Sequence, residues 1–533
     1  MEKNFVLDPT LLSPPEPGSS ASPVFVLLLL VGSMTVACDR KPPAPANLIL
    51  ITVDTLRADR IGAYGKRDAK TPHIDALAKT GTTFTHAYAP MARTTPALAS
   101  LLTGLWPHHH GSREVHRKVQ RGTFITSSLK RAGFATLAVT ANPVAGTRQG
   151  FDVGFDVFVE NMRFGASAVT DRAIKAVRAV PEDERVFLWT HYYDPHWPYK
   201  PPKGWRRGGS ERCGDLSQLS RGVKQSNQGG YSAKALGSCW QAYDSEIAYV
   251  DHEIGRLLEA LREFGRLQDA LIVFTSDHGE NFGEDGLFFA HGRSVHDAGL
   301  RVPLIIAGRG VRQGAREETL IRLIDLAPTI LSVMGVASLQ RLPVADGVDY
   351  ARVLYDGRRR PVELPTELAF AESGGALIVD DYSALLSGRV RTGYCLNHGE
   401  YSLCWKGAAA AALYNRNRDP EMTHDLREQE PERFLEMEQA RHRWKPGKAR
   451  RRSVSDGRFK LIKRPRLGGG YDRSLYDLRT DRSETQDVRR QFPVDAARLE
   501  AALNAWAEEV PGYAPEALTS EEEAQLRALG YVQ

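Results

Sequence analysis

Asn47-Leu48-Ile49-Leu50-Ile51-Thr52-Val53-Asp54-Thr55-Leu56-Arg57 is a short, β-branched apolar run that ends in a carboxylate. Its lack of alternation predicts a strand buried on both faces, as parallel strands are. A second run of the same kind, Ala270-Leu271-Ile272-Val273-Phe274-Thr275-Ser276, ends in Asp277-His278-Gly279-Glu280. Further strands are predicted at Thr136–Thr140, Val186–Trp189 and Arg301–Ile306, with helical periodicity over Tyr243–Leu258 and Leu323–Leu331. This mixture predicts an α/β fold. Ligands of open α/β sheets bind beyond the carboxyl ends of the strands, so Asp54, Asp277 and His278 are candidates for one site. The 533 residues, 42% hydrophobic and 25% charged, suffice for one large domain and a smaller appendage. A formal net charge of +5 is small for this length and gives no reason to expect a nucleic-acid partner.

Thr94-Thr95-Pro96-Ala97-Leu98-Ala99-Ser100-Leu101-Leu102-Thr103-Gly104 reads as a helix that Pro96 favours in its first turn and Gly104 ends. Thr94 falls at or just before its start, where unbonded N–H groups and the helix dipole attract anions. Taken alone, Thr94 reads as an ordinary N-cap. The segment also resembles the sulfatase signature, in which Cys or Ser is followed by any residue, Pro, Ser and Arg, and then by a helix ending in Leu-Thr-Gly. The resemblance extends through Arg57–Gly65, Thr71–Ala78 and Asp277–Glu280 and covers roughly residues 46 to 360. It returns loosely at Asp456–Ile462 and Leu475–Leu478.

The resemblance implies an alkaline-phosphatase-like sandwich. A large, mainly parallel sheet flanked by helices would occupy residues 47–355, with a smaller C-terminal α+β subdomain and tail at 356–533. In that family the Cys or Ser becomes formylglycine, whose second hydroxyl expels the anion. Threonine has none, Ala97 and Leu98 replace the Ser and Arg, and Thr55 replaces the second of two adjacent Asp. Thr94 is therefore read as an unmodified alkoxide nucleophile, as in threonine-using relatives in the alkaline phosphatase superfamily.

By the same resemblance, Asp54, Asp277, His278 and Thr94 would hold one divalent ion, calcium, manganese or zinc. His196, in Asp194-Pro195-His196-Trp197-Pro198-Tyr199, would bond the transferred group or protonate the leaving oxygen. His291 would stabilise charge on the anion, with Arg57 and Asn142 as further anion contacts, although Arg57 near two acidic residues also reads as a structural ion pair. A second metal held by Asp194, His196 and His291 is the runner-up. His191, in the strand run, reads as a core residue.

Residues 1–38 read as a processing segment, an apolar stretch from Val24 leading to Thr35-Val36-Ala37-Cys38 that is too short for a comfortable transmembrane span. It resembles a lipoprotein signal. Cys38 would carry the lipid and residues 39–46 form a tether, placing the chain on the periplasmic side of a bacterial envelope, membrane-bound through the anchor. Four other cysteines fall as two local pairs, and disulfides are expected at Cys213–Cys239 and Cys395–Cys404. The Arg- and Lys-rich stretch 441–466 reads as a solvated loop, and Glu521–Leu526 as an acidic terminal helix.

The expected activity is metal-dependent hydrolysis of a small-molecule, glycan or lipid anionic ester. Phosphate mono- and diesters or phosphonates are favoured over sulfates, because a threonine phosphate can be hydrolysed at the same metal. The alternatives are a dinuclear zinc phosphodiesterase or phosphotransferase, and a non-catalytic homologue that binds anionic glycans.

Overall fold

The computed structural model describes residues 43–509, apart from 116, 161–164, 207–212, 214–232, 337–341, 356–367, 374–376, 380–381, 388–392, 399–400, 406–410, 416–417, 419–423, 444–449 and 466–469. Cys38 and the 521–526 stretch therefore lie outside the described residues, as does most of the loop between Cys213 and Cys239. Among the described residues no helix is long and apolar enough to cross a membrane.

The main sheet contains β1 (Asn47–Val53), β2 (Gly81–Tyr88), β3 (Phe134–Thr140), β4 (Val157–Glu160), β5 (Arg185–Tyr192) and β6 (Ala270–Ser276). A short hairpin, β7 (Asn281–Phe282) with β8 (Phe288–Ala290), stands apart from it, and β9 (Arg301–Gly308), β10 (Ala315–Glu317) and β11 (Ile321–Arg322) complete it. Its order is β10-β2-β9-β6-β1-β5-β3-β4, with β11 also on β2. All pairings are parallel except those of β9 with β2 and β6.

Every residue of β1 and of β6 is buried, as their unbroken apolar text predicts. Alternation then divides β1 between two cores. Leu48 and Leu50 join the layer containing Ala97–Leu102 and Leu323–Leu331. Ile49, Ile51 and Val53 join Val169, Ala173, Tyr243 and Val250 on the other face. Each such aliphatic side chain contributes about 1.5–3 kcal/mol by leaving water, which fixes β1 at the centre of the sheet.

The helices that matter for the site are α1 (Pro72–Thr80), α2 (Thr94–Thr103), α3 (Ala166–Arg178), α4 (Ala233–Glu263) and α5 (Leu323–Val333). All ten residues of α2 are buried, and Gly104 ends it at φ 72°, a conformation that favours glycine. The N-cap is Arg93, so Thr94 is the first helical residue and not the cap.

Towards the C-terminus, β12 (Ala369–Glu372) is followed by a meander of β13 (Leu377–Val379), β14 (Tyr382–Ser387), β15 (Gly393–His398), β16 (Tyr401–Trp405) and β17 (Ala412–Asn415). A second antiparallel sheet orders β12, β18 (Arg452–Ser455), β19 (Phe459–Pro465) and β20 (Tyr471–Asp477). The last described helix, α6 (Pro493–Glu509), packs Leu499, Leu503 and Trp506 against this sheet and against Trp106 and Ile324 of the large domain. Cys213 and Cys239 form a disulfide. Register sets Cys395 opposite Cys404 on β15 and β16.

The basic stretch is not a solvated loop where it is described. Arg450 and Arg451 are buried and pair with Glu114 and Asp285, because the start of β18 lies against acidic loops of the large domain.

Candidate active site

Parallel register brings the strand ends together. Val53 of β1 lies beside Tyr192 of β5 and Ser276 of β6, so Asp54 and Asp277 emerge side by side at the carboxyl edge. Thr55 then turns the chain at φ 55°, a costly conformation for a β-branched residue. Tyr243 Oη–H donates to the Thr55 carbonyl at 2.6 Å and accepts from Arg57 N at 2.9 Å, which pins the turn. In this pose Thr55 N–H donates to Asp277 Oδ1 at 3.2 Å, as does His278 N–H at 2.8 Å.

Asp54, Asp277, His278, His191 and Thr94 are completely buried. Thr94 Oγ1 lies 3.3 Å from His278 Nε2, and that nitrogen is 3.4 Å from Asp277 Oδ2 and 3.9 Å from Asp54 Oδ1. The other His278 nitrogen, Nδ1, donates to the Gly279 carbonyl at 2.9 Å, which leaves the Nε2 lone pair facing the cluster. His191 Nε2 lies 3.7 Å from Asp54 Oδ2. Ligand atoms of Asp54, His191 and Asp277 all fall within 4.8 Å of one another. Asp54 Oδ1, Asp277 Oδ2 and His191 Nε2 are buried without a hydrogen-bond partner. Acceptor atoms gathered in this way, shut off from water and short of donors, fit a divalent cation.

Electrostatics agree with that fit. Burial lifts Asp277 to about 7, and the charge of Asp54 beside it adds to the effect. Burial also opposes ionisation of Asp54, but His196, His191 and His278 outweigh it and hold this carboxyl below the ordinary range. His196 and His278 are pushed down, chiefly by burial. Burial takes His291 down to about 4, helped by Arg93 and Arg293 against the pull of Asp54. Burial thus favours the uncharged form of His196, His278 and His291.

His196 and His291 meet as expected, with ring centroids 5.0 Å apart, and His291 lies 4.6 Å from the His278 ring. His196 Nδ1 donates to the Trp197 carbonyl at 2.6 Å. His291 Nδ1 pairs with Glu280 Oε1 at 3.1 Å, and Tyr199 Oη–H donates to Glu280 Oε2 at 3.3 Å. Glu280, fully buried and pushed up to about 7 by burial, escaped the sequence reading although it stands two residues after His278.

Three expectations change. Arg57 does not offer its guanidinium to an anion: it pairs with Asp59 at 2.8 Å and Glu284 at 2.7 Å and donates to the Glu280 carbonyl, so it is the structural ion pair. Asn142 Nδ2 donates to Asp54 Oδ2, which makes it a support for that carboxylate. Asp194 does not join His196 and His291 as a second metal site. Its carboxylate accepts from Ala166 N at the start of α3, and among the described residues the one group of three His, Cys, Asp or Glu side chains close enough to hold a metal ion is Asp54, His191 and Asp277. His191 is core, as expected, but it also lines the site. Its place at the carboxyl end of a buried strand was the available signal.

Residues 46–336, more than half the chain, match the family model described as Sulfatase. The chain belongs to the sulfatase family. Among its relatives, this sulfatase-family chain is 25% identical over 380 residues to an arylsulfatase of Clostridium perfringens, which covers 57% of the chain and 78% of the relative. In fold it resembles a phosphonate monoester hydrolase of Agrobacterium radiobacter, with TM-score 0.61 and 21% identity over 88% of this chain and 95% of the other. A protein solved with its substrate D-glucosamine-2-N,6-O-disulfate gives TM-score 0.60 and 19% identity over 87% and 98% of the two chains.

Proposed function

We propose that this sulfatase-family hydrolase cleaves anionic esters with Thr94 itself as the nucleophile, and that phosphate mono- and diesters or phosphonates are its preferred class. The observation that carries this reading is the 3.3 Å approach of Thr94 Oγ1 to His278 Nε2, a distance at which the two atoms share either one proton or one cation. Asp54, Asp277 and His278 would hold the divalent ion. When bound, the ion lowers the pKa of a neighbouring hydroxyl and polarises the ester oxygens.

The remaining steps belong to the chain's own residues. The first-turn N–H groups of α2 attract the anion and keep it beside Thr94. His196, with Nδ1–H held by the Trp197 carbonyl, accepts the Thr94 proton and returns it to the departing ester oxygen. His291, paired with Glu280, faces negative charge as the Thr94 oxygen bonds to phosphorus or sulfur and the ester bond breaks. Water then displaces Thr94, which recovers its hydroxyl. Thr55, Ala97 and Leu98 support the unmodified nucleophile, since they stand where the formylglycine pattern has acidic, hydroxyl and basic groups. The Cys213–Cys239 disulfide supports the oxidising, envelope-side location that the leader suggests.

The test is an assay of purified protein, with Zn²⁺, Mn²⁺ or Ca²⁺ and after chelation, against aryl sulfates, phosphate monoesters, phosphodiesters and phosphonates. Turnover that disappears in Thr94→Ala and on chelation is the expected result. Equal background rates in wild type and Thr94→Ala would overturn the proposal in favour of a binding protein.

A further inference from the structure

His191 stands where β5 passes β1, opposite Thr52, and no part of it reaches solvent. The Thr52 hydroxyl orients its ring. That hydroxyl has one hydrogen, and the Thr190 carbonyl 3.1 Å away can only accept it. The same oxygen accepts from Trp189 Nε1–H at 2.9 Å. With that hydrogen on the Thr190 carbonyl, His191 Nδ1, also 2.9 Å away, brings its own proton. Its Nε2 is then a bare lone pair, 3.7 Å from the Asp54 carboxylate, with no hydrogen bond of its own. A lone pair aimed at an anion in a dry interior is repulsive unless a cation lies between them.

His278 is prepared in the same manner, with Nδ1–H on a backbone carbonyl and Nε2 turned inward. Together with Asp54 and Asp277 the site therefore presents two carboxylates and two imidazoles, each imidazole locked by a backbone or hydroxyl acceptor. Calcium prefers six to eight oxygens, whereas imidazole nitrogens favour zinc-like ions. Thr55 leaves the position beside Asp54 without a carboxylate, and His191 approaches Asp54 from the neighbouring strand.

We propose that His191 is a direct metal ligand, held in register by Thr52 and Trp189, and that it makes this centre selective for zinc-like ions over calcium. The proposal rests on the reading of a metal-dependent hydrolase, and its test separates the two. Metal-stripped wild type, His191→Gln, Asp54→Asn and Thr94→Ala are titrated with Zn²⁺, Co²⁺ and Ca²⁺ against a chromophoric chelator. The Co²⁺ absorption band is recorded for each, with circular dichroism of the metal-free proteins as the folding control.

Wild type should prefer Zn²⁺ to Ca²⁺. His191→Gln should bind Zn²⁺ at least about tenfold more weakly with a shifted Co²⁺ band, while Thr94→Ala still binds it. X-ray absorption of Zn-loaded wild type, which needs no variant, should count two imidazole nitrogens. Wild-type affinity and an unchanged Co²⁺ band in folded His191→Gln, or a single imidazole by X-ray absorption, would overturn the role of His191 and leave the hydrolase reading intact. Failure of wild type to bind any divalent ion would overturn both.

Discussion

Thr94 Oγ1 and His278 Nε2 stand 3.3 Å apart although 184 residues separate them, one at the first turn of a buried helix and the other just past the end of a central strand. Neither element can shift without opening the core, so the pair is preorganised. Thr94→Ser keeps the hydroxyl and should retain activity within about tenfold, whereas Thr94→Ala should lose at least about a thousandfold in kcat/KM. Mass spectrometry of acid-quenched wild type during turnover should find a phosphoryl or sulfuryl group on the peptide containing Thr94, and on no peptide of Thr94→Ala.

Lys460 lies buried between Asp297 at 2.7 Å and Glu484 at 3.1 Å, one cation serving two carboxylates where β19 meets the large domain. Lys460→Met strands both anions and should cost about 3–5 kcal/mol. Thermal unfolding should show that loss, and adding Glu484→Gln to Lys460→Met should recover part of it. A Tm unchanged by Lys460→Met would refute the coupling.

Glu372 on β12 accepts two hydrogen bonds from Arg113, each 2.6 Å, and burial that would raise its pKa is outweighed by Arg450 and Arg113, which lower it from 4.5. A carboxylate whose folded pKa is depressed stabilises the protein fully above its unfolded pKa, and this contribution disappears as pH falls through the folded value. The Tm deficit of Glu372→Gln should therefore be largest near pH 7 and should shrink once pH drops below about 4.5. A deficit that does not change with pH would show that the ion pair contributes nothing.

The Cys213–Cys239 bridge closes 26 residues of chain onto α4. Replacing both cysteines with serine should cost about 3 kcal/mol by loop entropy and lower the Tm measured without reductant. Reductant should lower the Tm of the wild type but not of the double variant.

The strands and helix α2 were legible because each depends on local text: β1 and β6 are unbroken apolar runs, Pro96 lies in the first turn of α2 and Gly104 ends it. Asp54, Asp277 and His278 were legible as strand-end groups. What escaped depends on distant partners. The role of His191 needs Thr52, 139 residues away, and the fate of Arg57 needs Glu284, 227 residues away. Asn142 was an expected anion contact only through the family resemblance of its loop, and its amide donates instead to Asp54. The basic stretch before β18 misled for a related reason: its charges answer Glu114 and Asp285, acidic groups far earlier in the chain.

Glu114 joins Arg93, the residue before Thr94, to Arg450 just before β18. A gene truncated after residue 336 would still encode the whole family match, yet its product would lack the arginine that shares this carboxylate. Expression trials should therefore retain both C-terminal sheets, because Arg450 helps to set the environment of a side chain more than three hundred residues earlier in the chain.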